Sequence, residues 1–84
     1  MNHQVKRLTA GKNTYTLDLT MHPAGWECRV FQDANEIVDG IRKATSEHEA
    51  KFLGHVIAYD LEGVRRDREC EAECESGWSA AESP

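Results

Sequence analysis

Apolar and polar side chains alternate along residues 14–21: Tyr15, Leu17, Leu19 and Met21 against Thr14, Thr16, Asp18 and Thr20. Period two with β-favouring residues predicts a strand with one buried and one wet face. Gln4–Thr9 reads as a weaker strand, joined to the first by a turn over Ala10-Gly11-Lys12-Asn13. His22-Pro23-Ala24-Gly25 predicts a second turn. Trp26–Gln32 follows as a strand with Trp26, Cys28 and Val30 on one side and Glu27, Arg29 and Phe31 on the other. Asp33-Ala34-Asn35 predicts a hairpin turn, and Glu36–Arg42 a final strand carrying Ile37, Val38 and Ile41.

The period then changes to that of a helix. Ser46 with Glu49 three residues on forms a capping box, and Glu47 sets negative charge at the positive end of the dipole. Ala50, Leu53, Ile57, Leu61 and Val64 recur as an apolar stripe, flanked by Phe52, Val56 and Tyr59. Gly54 within the stripe predicts close approach to a sheet. Gly63 predicts either the left-handed end of the helix or a position within one that runs on to Glu75. The fold class that follows is α+β: an antiparallel meander of three to four strands with one main helix packed on one face.

Length allows one core. The chain has 84 residues, 39% of them apolar and 30% charged, and a formal charge of −5. Residues 1–66 are expected to form the single domain, with 67–84 an acidic, partly disordered C-terminal tail. Before Leu61 the basic and acidic residues nearly balance, so the acidity lies in the final stretch. Ser76–Pro84 is small, polar and rich in breakers, with Trp78 its one large apolar residue. No run approaches the length of a membrane helix, and Met1–Thr9 has no apolar core of a secretory signal. The expectation is a cytoplasmic protein whose three cysteines, Cys28, Cys70 and Cys74, stay reduced, with Cys28 a small core residue.

Candidate chemistry is sparse. Asp67 to Glu75 alternates acids with Arg68, Cys70, Ala72 and Cys74. As a strand it would line carboxylates along one face. As a helix, which glutamate favours, it would scatter them and stack Cys70 over Cys74. Cys70 and Cys74 with His48 and His55 supply four zinc-type ligands, but the three-residue gap between the cysteines is not the usual spacing, so no metal and no cofactor is expected. Glu47-His48-Glu49 points in three directions on a helix and cannot converge on a substrate atom. With no nucleophile elbow or phosphate loop either, the chain is expected to be no enzyme.

Trp26-x2-Arg29-Val30, followed by a helix opened by Ser46-x2-Glu49-Ala50, resembles the sheet-plus-helix DNA-binding domains of phage integrase arms and plant ethylene-response factors. That resemblance implies a sheet face that reads DNA. Here the corresponding face offers Asp18, Glu27, Arg29 and Asp33, a balance that repels phosphate. Lys6, Arg7 and Lys12, and Arg42-Lys43, are the basic patches. In size, acidity and element order the chain is also similar to small phage-encoded inhibitors, the anti-CRISPR proteins among them. This second resemblance implies a non-enzymatic protein-binding module, a nucleic-acid mimic that blocks a nucleic-acid-handling complex through an acidic surface. The partner-binding residues expected on that reading are Asp18, Glu27, Asp33, Glu36, Asp39, Glu69, Glu71, Glu73 and Glu75. A homodimer paired through the edge at Glu36–Arg42, or through exposed Phe31, Phe52 and Tyr59, is compatible with it.

Overall fold

In the computed structural model, residues 3–33, 35–37, 41–64 and 67–80 are described, without the side chains of 67–69. Alternation builds the sheet as expected. Lys6, Leu8 and Ala10 of β1 (His3–Ala10), Tyr15, Leu17 and Leu19 of β2 (Asn13–His22), and Cys28 and Val30 of β3 (Gly25–Gln32) all point to one side and are buried. Their registers agree: Leu8 faces Tyr15, Leu17 faces Val30 and Leu19 faces Cys28. Met21, expected on the buried side, is 42% exposed where β2 runs past the core.

Glu36–Arg42 is not one strand. Its described parts are β4 (Asn35–Glu36) and β5 (Arg42–Ala44), both antiparallel to β3, with 38–40 outside the described residues. Asp33 turns the chain before β4 at φ 57°, a left-handed conformation that aspartate tolerates better than most residues. Among the described residues the sheet has six strands in the order β4-β3-β2-β1-β6, with β5 also against β3.

The helix α1 (Glu47–Leu61) starts where the capping box places it, with the Ser46 hydroxyl accepting from the Glu49 amide. It ends in a Schellman motif: the Val64 amide donates to the Tyr59 carbonyl, that of Gly63 donates to Asp60, and Gly63 sits at φ 71°. Its buried face is rotated from the expected stripe. Ala50, Lys51, Gly54, His55, Ala58 and Tyr59 are buried, Leu53 and Ile57 are half-buried, and Leu61 is 49% exposed. The small residues Ala50, Gly54 and Ala58, one turn apart, bring the helix axis close to the sheet. The large ones are thereby displaced to the flanks. A Cβ on Gly54 would lie 2.5 Å from Cys28 Sγ, which measures how close that approach is.

The expected tail is ordered over its described residues. Asp67–Glu73 is a separate short helix, α2, rather than a continuation of α1, and it buries Cys70 in the core, with Cys74 buried just beyond its end. Trp78 packs half-buried on the core, and its indole N–H donates to the Cys74 carbonyl at 2.7 Å. Ser79–Ala80 then adds β6 to the edge of β1. The anchor is a buried polar cluster. His55 is fully buried, and its Nδ1 lies 2.8 Å from the Lys51 carbonyl, which can only accept. Nδ1 therefore carries the proton, and Nε2 accepts from Lys6 Nζ at 2.8 Å. Lys6 Nζ also donates to the Glu73 carbonyl at 2.9 Å, while the Tyr59 hydroxyl donates to the Glu73 carboxylate. Burial holds both Lys6 and His55 below their ordinary pKa values, which keeps the imidazole neutral and able to accept. No helix among the described residues is long and apolar enough to cross a membrane.

Candidate protein-binding face

Both helices lie on one side of the sheet, so among the described residues the odd-numbered side chains of β1 and β3 and the even-numbered ones of β2 meet no covering helix. Register makes rows across this outer face: Arg7, Thr16 and Phe31 in one, Val5, Asp18 and Arg29 in the next, His3, Thr20 and Glu27 in a third. Glu36 extends the first row beside Phe31, and Lys43 the third beside Glu27.

The acids of these rows are each held by a partner. His3 Nε2 is 2.8 Å from Asp18 Oδ1, which also accepts from the Thr20 hydroxyl. Arg29 donates through Nε to Glu27 at 2.6 Å and through Nη1 to Glu36 at 3.2 Å. His22 Nε2 stands 3.5 Å from the other Glu27 oxygen. Glu27, expected on the wet face, is only 8% exposed beneath these neighbours. The Arg29 hydrogen bond holds its carboxyl below the usual range, against the opposing effect of burial. The same bond and the charge of Glu27 raise the guanidinium. A shallow open depression runs across the rows between His3, Asp18, Arg29 and Phe31, and a second, more apolar hollow lies beyond it between His22, Trp26 and Ala44.

Of the nine acids expected at a partner surface, the structure brings Asp18, Glu27 and Glu36 onto this one face, Glu27 and Glu36 sharing Arg29 and Asp18 held apart by His3 and Thr20. Asp33 is exposed at the turn after β3, at the corner of the sheet. Glu71, Glu73 and Glu75 belong to the helix side: Glu71 is exposed, Glu73 accepts from Tyr59, and Glu75 accepts from Lys51 at 3.0 Å. Asp39 and the side chain of Glu69 lie outside the described residues. The two acid groups therefore do not form one continuous surface. Nor are all the aromatics expected at a dimer contact exposed: Tyr59 is buried at 4%, and Phe52 packs half-buried against the core. Only Phe31 stays on the outer face. Sequence reasoning passed over His3 and His22 as partners of the acids. Their signal was parity alone, since register sets His3 beside Thr20 and two residues from Val5, which faces Asp18.

Comparison with protein-family models, with curated proteins and with solved structures returns no match. The fold class rests on the structure itself: an α+β protein with an antiparallel sheet and one main helix packed against it.

Proposed function

We propose that this chain is a non-enzymatic protein-binding module that works by stoichiometric contact through the outer face of its sheet. The observation that carries the reading is the uncovered face itself, a broad sheet surface with fixed charge pairs around one half-buried aromatic, Phe31. Ion pairs whose geometry is already set recognise a partner by pattern at little ordering cost. The sharpest form of the proposal is a phage or mobile-element inhibitor of a nucleic-acid-handling complex. The −5 charge supports it by steering the chain toward basic surfaces. The pairing of Glu27 and Glu36 with Arg29, and of Asp18 with His3 and Thr20, means that contact would depend on the arrangement of polar groups more than on a bare acidic field. A sheet face that reads DNA finds less support, because Arg29 is already engaged by Glu27 and Glu36.

Affinity capture by the tagged full chain from bacterial lysate, with and without nuclease, tests the proposal. The expected result is a protein companion in fixed ratio that survives nuclease. Nucleic acid as the main companion, with proteins lost after nuclease, would overturn it in favour of DNA binding.

A further inference from the structure

A second cluster lies on the helix side of the sheet, independent of the outer face. His48 stands in the first turn of α1, and Cys74 and Glu75 follow the end of α2. The C-terminal segment, folded back onto Lys6, Lys51 and Tyr59, brings them together from positions as much as 27 residues apart. One donor atom from each lies within 4.8 Å of the others. His48 Nδ1 is 2.6 Å from Glu75 Oε2 and 3.9 Å from Cys74 Sγ.

Imidazole, thiolate and carboxylate are the ligand types of zinc. Tetrahedral bonds of about 2.0 Å to nitrogen and oxygen and about 2.3 Å to sulfur hold such donors roughly 3.3–3.6 Å apart. The sulfur–nitrogen edge is already close to that value. The nitrogen–oxygen edge has to open by less than about 1 Å, which two half-exposed side chains can do without moving the backbone. The geometry points to a three-ligand Zn2+ site at His48, Cys74 and Glu75, with water in the fourth position, that fastens the C-terminal segment to α1.

The surroundings fit an ion. Lys51 Nζ holds Oε1 of Glu75 and leaves Oε2 facing His48, so the carboxylate is oriented from outside the ligand set. His48 and Glu75 are 55% and 51% exposed and give entry from solvent, while buried Cys74 forms the floor. On binding, the thiol proton passes to solvent, and the weak S–H bond to the Glu71 carbonyl gives way to a metal–sulfur bond. The imidazole proton moves to Nε2, which frees Nδ1 for the ion. His55, the other helical histidine, is not available to such a site, because Lys6 and the Lys51 carbonyl occupy both its nitrogens.

The test is titration of the reduced, full-length chain with Co2+, read by absorbance, followed by Zn2+. The expected result is one equivalent of Co2+ bound with a thiolate-to-cobalt charge-transfer band, bleached when Zn2+ displaces it. His48→Ala and Glu75→Ala alter exposed side chains, so circular dichroism should stay unchanged while the Co2+ affinity falls at least about tenfold. Cys74→Ser should abolish the band. No band in excess Co2+ would overturn the site, and so would a band whose affinity is the same in His48→Ala as in the parent.

Discussion

Lys6 and His55 are both buried on the inner side of the sheet, yet both are polar. They are tolerated because each supplies what the other lacks: a donor with three protons and a neutral ring with a free lone pair. No buried side-chain nitrogen or oxygen among the described residues is left without a partner. Sequence reading set Lys6 in a surface basic patch and His55 only among zinc-type ligands; burial overturns both placements, and a contact that spans 49 positions leaves no local signal. Tyr15 carries a prediction at this scale. Burial, with the hydrogen bond to Glu62 and its charge, pushes the phenol up to about 12. An unfolded chain gives up that proton from about pH 10, and the folded one only near 12, so folding loses stability as pH rises through that window. Cys28, raised to about 12 by burial, acts in the same direction from about pH 9. Tyr15→Phe should therefore be less stable than the parent at neutral pH but lose stability less steeply above pH 10, measured by urea unfolding across the range. An unchanged alkaline slope would show that Tyr15 titrates normally in the fold.

At the scale of elements, the strands and the helix start were legible because local chemistry decides them. Period-two alternation set β1 to β3, and Ser46 with Glu49 set the first turn of α1. The helix face was legible in part: Ala50 on the stripe and the close approach at Gly54 were expected and are found, but hydrophobicity also favoured Leu53, Ile57 and Leu61 over Ala58, whose value at the sheet is its small size. Gly54→Ala gains about 1 kcal/mol of helix propensity but drives a methyl group into Cys28 Sγ. The net expected cost is about 1–3 kcal/mol. Adding Cys28→Ala should recover part of that loss, so a double-mutant cycle by chemical denaturation should show clear coupling, and additive effects would contradict the close approach. The C-terminal segment was read in part, with helix favoured over residues 67–75 and α2 found there, but the packing of Trp78 was not seen, for a related reason. Its composition is that of a tail, and only tertiary partners, Lys6 for Glu73 and the core for Trp78, order it. Trp78→Ala should lower stability by about 2 kcal/mol, a fraction of the full cost of a buried tryptophan. A melting temperature equal to the parent's would return the segment to the status of a loose tail.

For the whole molecule, the two layers divide the labour. The helix side is committed to its own packing, with Glu73 bonded to Tyr59 and exposed Glu75 to Lys51, and the sheet's other face is left to the outside. The acidic character that sequence reading spread over one surface is thus split between two sides, because residues adjacent in charge along the chain are separated by the sheet. The central claim is that the outer face makes the partner contact. The most direct measurement is the affinity of the captured protein partner for the parent, for Thr16→Arg in the row of Arg7 and Phe31 on that face, and for Asp60→Asn on the exposed side of α1. The account predicts that Thr16→Arg loses affinity by about tenfold or more while keeping its melting temperature, and that Asp60→Asn binds as the parent does. Equal binding by Thr16→Arg, with the fold intact, would contradict it.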